Sequence, residues 1–355
     1  QIYCKRWQDS NNGASEGLVL RLSADEGDDA PLSTLAEVFV RVYDDLDEAI
    51  KLFDESKIPR AANCDMSIDV AYAIYARAAL VRNDWQTAAT MANKAKAQYP
   101  LMSNSELLNG GFYTPNSEWI WSSAGSTSQN LYYYSYHAYI AYNSNASAVR
   151  SYPALITKEL YAKIPDTDVR RNWWLYYKDL PIGRTTNAAI LAEVRAKYPK
   201  LDGSAYIANY MQFKIACEVG PGVGHLNHFR SSEMYLIEAE ALARLNRPAE
   251  AQAVMNSLNR DSGRNPSYSC TATGQALLDE IWLYRDVELW GEGFDWFDLK
   301  RTKRGIDRSN KDNGGSYLSA LAVKIDPDKI NDDDIDYFGW VWIIPVRETD
   351  YNPGI

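Results

Sequence analysis

Histidine and cysteine are scarce in this chain of 355 residues, at three and four, and the scarcity removes whole classes of chemistry. Cys4, Cys64, Cys217 and Cys270 are too few and too scattered for a disulfide framework or a zinc site, so free buried thiols are expected. His225 and His228 lie in GVGHLNH, a glycine-bounded loop without the helical spacing of a zinc site. Gly220 to Gly224, GPGVG, lacks the Lys-Ser/Thr of a phosphate loop and reads as a flexible turn. No apolar run approaches the roughly 20 residues needed to span a bilayer. Val70 to Val81 comes nearest, is interrupted by Arg77, and reads as a core helix. Basic charge is in deficit, with 37 Lys and Arg against 47 Asp and Glu, a net charge of -10. A polyanion such as nucleic acid is therefore an improbable partner, because phosphate contacts need clustered cations. No nucleophile is matched by a base, and among so many carboxylates a glycosidase pair can be drawn at will, so no catalytic residue is assigned.

What the chain does have is helical patterning. A helix is expected from about Thr34 to Phe53, with apolar positions at Leu35, Val38, Val42, Leu46, Ala49 and Phe53. Tyr72 to Pro100 fits a tetratricopeptide template, with Tyr72, Ala76, Asp84, Trp85, Ala88, Ala95 and Pro100 at its aromatic, small and helix-ending positions. Tyr235, Ala239 and Ala251 repeat part of it far along the chain, which is not the pattern of a simple solenoid. The stretch ELWGEGFDWFDLKR, Glu288 to Arg301, is the most specific. The preceding helix carries Leu277, Leu278, Ile281, Trp282 and Leu289 on one stripe, and Arg285 and Glu288, one turn apart, are placed to pair. Gly291 and Gly293 stop that helix, and Phe294, Trp296, Phe297 and Leu299 restart a shorter one folded back on it, with Trp296 expected in the core.

Between the helical blocks, Phe112 to Tyr177 is far richer in aromatics than the 12% average. Trp119 and Trp121 alternate as on a half-buried strand and are read as core. Tyr132, Tyr133, Tyr134 and Tyr136 sit instead among Gln129, Asn130, Asn143 and Asn145, with few aliphatic residues to pack against. Flat ring faces cover the C–H patches of pyranose rings while amides bond the hydroxyls, so this loop has the composition of a carbohydrate site. The other reading, in which the tyrosines only cover a helix surface, stays open. Trp173 and Trp174 follow Asp168 and Arg170 and read as continuing a structural strand, with Trp174 also carried as a candidate contact.

Four segments resemble the SusD/RagB family. Glu288 to Arg301 is similar to its ELxxEGxRWxDLxR signature, Arg230 to Gly263 to its AEA-containing helix pair, Leu160 to Arg171 to its D-x-R segment, and IPVRETDYNPGI to its C-terminal finish. Asp286 and Asp295 stand where arginine is usual. The resemblance implies a mainly α fold: tetratricopeptide-like helical hairpins packed with an irregular, aromatic-rich region containing a few short strands. It divides the chain into a remnant of an N-terminal helical region (1–30), tetratricopeptide-like helices (31–110), a variable ligand-binding region (111–228), C-terminal hairpins with the signature (229–303), and loops and tail (304–355). It also implies glycan capture without catalysis beside a SusC-like TonB-dependent transporter, on the extracellular face of the outer membrane through a lipid anchor. A branch of the family captures oligopeptides, which is the runner-up, ahead of a helical protein scaffold. QIYC at the start reads as the end of a preceding helix in a processed or partial chain. No cofactor is expected. The acidic run Asn331 to Asp336 has oxygen ligands for a structural calcium ion but lacks EF-hand spacing, and reads as a solvated loop.

Overall fold

A computed structural model describes residues 2–23, 30–129, 132–180, 183–309, 324–325, 340–352 and 354. Asn130, the Tyr132 side chain and the acidic run 331–336 lie outside the described residues.

Strands β1 (Glu16–Val19) and β2 (Leu32–Thr34) pair antiparallel and lead into α1 (Leu35–Ser56). Thr34 starts that helix through a capping box, its hydroxyl accepting from the Glu37 N–H while the Glu37 carboxylate accepts from the Thr34 N–H at 2.8 Å. Helices α2 (Ile68–Arg82) and α3 (Trp85–Lys96) form the expected hairpin, with Ser67 and Asp84 as N-caps and Asn83 turning the chain at φ 63°. After a long excursion, α9 (Ser231–Arg244) and α10 (Pro248–Asn256) form a second hairpin, followed by α11 (Gly274–Glu288) and α12 (Asp295–Thr302).

The two hairpins, separated by more than a hundred residues of sequence, meet in space. α3 packs on both α2 and α9, and α9 in turn on α10 and α11. Alanine makes this possible: Ala76, Ala88, Ala92, Ala95, Ala239 and Ala251 have no exposed surface, and side chains this small let helix axes approach closely. The stripe of α11 and its C-cap is buried as its spacing requires, from Leu277 and Leu278 through Ile281 and Trp282 to Leu289.

The excursion carries α4 (Asn104–Asn109), β3 (Trp119–Ser123), α5 (Tyr136–Ile140), α6 (Ser147–Ser151), α7 (Lys158–Lys163) and α8 (Ala188–Lys197), and closes with β4 (Leu226–Arg230) antiparallel to β3. The β3–β4 register slips twice, between Trp119 and Trp121 and again before Ser122. β3 is a wall between two cores, since successive strand residues face opposite sides: Ile120 faces the helical stack, while Trp119 joins a second core with Phe112, Trp173, Trp174 and Trp290. Trp119 is core as expected, whereas Trp121 is half-buried against His228 and Phe229. β5 (Ile306–Asp307), β6 (Lys324–Ile325) and α13 (Val346–Tyr351) complete the described elements.

Four local expectations are corrected. Residues 2–6 are irregular, not the end of a helix. Trp173 ends a 3-10 turn rather than a strand, because Asp168 caps that turn by accepting from the Arg170 N–H. Cys64 is exposed, although the other three thiols are buried. Arg285 and Glu288 do not pair with each other: each reaches away from α11 to a partner that is distant in sequence.

Candidate ligand-binding face

The signature corner is built on buried charge. Glu288, at the end of α11, takes Arg170 on Oε2 at 2.7 Å and Arg230 on Oε1 at 2.7 Å, while Arg264 reaches both oxygens at 3.2 Å. Arg170 is held bidentately by Asp168, Arg230 and Arg264 share Glu118, and Arg230 and Lys214 share Glu292. Four carboxylates (Glu118, Asp168, Glu288, Glu292) thus meet four cations (Arg170, Lys214, Arg230, Arg264), and the cluster is neutral as a whole. Burial alone would raise the Glu288 carboxyl pKa, but the guanidiniums of Arg264, Arg230 and Arg170 outweigh it and hold it well below the usual range. A second cluster locks α12 in place, with Asp298 between Arg285 and Arg301 and Arg301 reaching Glu240 on α9. Asp286, where the family pattern has arginine, pairs with Arg304 at 2.6 Å.

This frame fixes the tyrosine-rich segment. Residues 132–134 form a 3-10 turn, and Ser135 then caps α5 by accepting from the Ala138 N–H while donating to the Gly222 carbonyl at 2.6 Å. Gly222 is required at that contact, since a Cβ there would lie 2.4 Å from the Ser135 hydroxyl and 2.5 Å from the Ala138 nitrogen. Tyr136 donates its hydroxyl to the Gly291 carbonyl at 2.9 Å, which ties the segment to the signature corner. Burial first and Glu292 second push the Tyr136 phenol well above its ordinary pKa, so it stays a neutral donor.

The candidate contacts separate on this scaffold. Tyr133 and Tyr134 are 56% and 71% exposed, and Tyr139, three residues beyond the anchor, is 59% exposed. Tyr136 is instead an anchor, and its inner side lines a cavity of about 630 Å³ together with Arg77, His228, Glu292 and Phe294. Trp174 is 4% exposed and meets Tyr161, Trp173 and Trp290 edge-on, so the core, not solvent, has its ring. Two of the amides are occupied: Asn143 exchanges hydrogen bonds with Cys217, and Gln129 closes a turn on Ser126 and Ala124, whereas Asn145 is exposed. Tyr139 was visible in the composition but not separable from its neighbours by spacing.

The SusD family model matches residues 81–355, which is well over half of the chain. The chain belongs to the SusD family. It is 33% identical over 93 residues to the SusD-like protein P38 of Formosa agariphila, a stretch covering 24% of this chain and 18% of that protein. Its fold is similar to that of a SusD-like carbohydrate binding protein from Bacteroides vulgatus, with a TM-score of 0.75 and 23% identity over 100% of this chain and 72% of that one. A SusD superfamily protein from Bacteroides thetaiotaomicron matches with a TM-score of 0.72 and 21% identity, over 100% of this chain and 73% of that one. Within the SusD frame, the signature residues Glu288, Gly291 and Asp298 are explained by the ion clusters and the corner they close, and Asn352 of the C-terminal motif clips the Ala30 backbone through both ends of its amide. These residues identify the fold and do not by themselves specify a ligand.

Proposed function

We propose that this protein captures glycans without catalysing any reaction on them, and passes them to a partner TonB-dependent transporter at the extracellular face of the outer membrane, where a lipid anchor holds it. The observation that carries the reading is the display of Tyr133, Tyr134 and Tyr139, each more than half exposed, on a segment clamped by Ser135 and Tyr136. Exposed phenol rings on a fixed backbone stack on sugar faces at little entropic cost. Membership in the SusD family and likeness to a structure described as carbohydrate binding support the same reading.

Two or three ring stacks at about 0.5–1.5 kcal/mol each, with a few hydrogen bonds of about 1 kcal/mol, leave roughly micromolar to millimolar affinity after association costs. Binding that weak favours polymers, whose repeated units supply avidity, and delivery to a neighbouring transporter. The test is affinity electrophoresis of the Tyr133→Ala, Tyr134→Ala, Tyr139→Ala triple variant through gels containing a panel of polysaccharides. The wild type is retarded by at least one of them and the variant is not, while its melting temperature changes by no more than about 2 °C, as for other surface substitutions. Equal retardation of both proteins removes the platform from the site.

A further inference from the structure

A cavity of about 530 Å³ opens at the far end of α5, where the backbone N–H of Tyr142 donates to the Ile215 carbonyl and the Tyr142 ring turns inward. Its aromatic wall is Tyr142, Tyr198 and Phe213, the last two stacked with centroids 3.7 Å apart and planes 15° from parallel. Tyr113 forms the opposite side, with the Lys200 ammonium 3.4 Å from its hydroxyl. Lys197 lies over the edge, 5.2 Å from the Tyr198 ring centroid.

The charge here is the reverse of the molecule's. In a protein of net charge -10, this lining has two lysines and two asparagines but no carboxylate. Among the described residues neither Lys197 nor Lys200 forms an ion pair, whereas the neighbouring carboxylates are engaged, Asp202 by Ser204 and Arg150 and Glu193 by Tyr177. A cation at Lys197 also complements the carbonyl end of α8, but Lys200 lies beyond the helix, where that explanation does not reach. The backbone under Tyr113 is unusual as well. Gly111 has φ +66° and would place a Cβ 2.5 Å from the Tyr113 ring, and Phe112 has φ +52°, a conformation rare for an aromatic residue and found most often where a site over-determines it.

We propose that this cavity is a second subsite and takes an acidic pyranose unit, its ring against Tyr198 or Tyr113 and its anionic group between Lys197 and Lys200. The inference rests on the glycan reading above and deepens it: the platform stacks sugar rings of any charge, and the cavity selects chains that carry acid groups. Charge-assisted hydrogen bonds from two lysines that have no ion pair among the described residues supply the selection, and salt screens it because both side chains reach solvent.

Calorimetry with a galacturonic acid oligomer, its fully methyl-esterified form, a sulfated oligosaccharide and a neutral oligosaccharide of matched length provides the test. The acid oligomer is expected to bind about tenfold or more tighter than its ester, with the advantage lost in 0.5 M salt. Lys197→Met with Lys200→Met should abolish that advantage and leave neutral binding and the melting temperature unchanged, and Lys197→Arg with Lys200→Arg should restore it. The same lysine dependence with the sulfated ligand alone also supports the anionic subsite and identifies the acid as sulfate. Neutral binding with no preference for either acid, or a preference that survives the Met substitutions, overturns the subsite and leaves the platform standing. No binding to any of the four ligands by the wild type, coupled with no retardation by any polysaccharide, overturns both.

Discussion

Replacing Glu288 by glutamine keeps the shape of the side chain and removes one charge from the centre of the molecule. In the wild type its two oxygens meet three guanidiniums, those of Arg170, Arg230 and Arg264, all fully buried or nearly so. The substitution takes the eight-residue cluster from neutral to one uncompensated positive charge among side chains that are almost fully buried. Breaking a buried pair by removing one partner costs about 3–5 kcal/mol, a large share of the roughly 5–15 kcal/mol that holds a folded protein together. Urea unfolding at pH 7 should therefore show a clearly lower midpoint for Glu288→Gln. The pH dependence provides an independent check. The folded carboxyl has a pKa below the unfolded value of about 4.3, so its stabilisation is fully present above that value and is lost as pH falls through the folded value, where the native state takes up the proton. The gap between wild type and variant should stay constant from pH 7 to about 5 and narrow below about 4. Equal midpoints at pH 7, or a gap that ignores acid, would refute the account of the cluster.

Three further substitutions examine the corner. Gly291→Ala should cost about 1–3 kcal/mol, because φ is +78° and the new methyl would stand 2.8 Å from Ile215 Cδ1 and 3.1 Å from Ile140 Cδ1; Gly293→Ala, at φ +89° with open space around it, should cost less, and a reversed order in thermal melting would count against this packing. Trp296 is half-buried against Trp340 and Trp342, not enclosed as its place in the signature suggested, so Trp296→Ala should lose about 1–3 kcal/mol rather than the 3–5 of a fully enclosed ring, and a loss beyond 4 kcal/mol by urea unfolding would restore the core reading.

Helices were legible wherever local rules suffice. The apolar spacing of α1, the alanine spacing of the α2–α3 hairpin and the two glycines after α11 each reflect forces acting within a turn or two of chain. The charged clusters were not legible, because charge pairing at long range leaves no period in the sequence. The nearest candidate, Arg285 with Glu288, sat at an ideal helical spacing and still lost to Asp298 and Arg170, whose buried charges meet Arg285 at 2.6 Å and Glu288 at 2.7 Å. The tyrosine segment was half legible. Its lack of aliphatic neighbours announced exposure, true of Tyr133 and Tyr134, but nothing local said that Tyr136 would find the Gly291 carbonyl or that Asn143 would be consumed by Cys217. The lysine-lined cavity joins residues from five stretches of the excursion, and no motif connects them.

The pairing of β3 with β4 has a consequence for how the excursion can vary. The excursion leaves the helical stack and returns to it at neighbouring points, so its interior is a cassette whose contents can be exchanged while the stack on either side is undisturbed. The exchange is constrained where the cassette is bolted to the corner: Arg170, held by Asp168, reaches Glu288 from inside it, as Lys214 reaches Glu292 and Tyr136 the Gly291 carbonyl. A transplanted cassette from another member should fold on this body only if it brings an aspartate and an arginine two residues apart to the same spot.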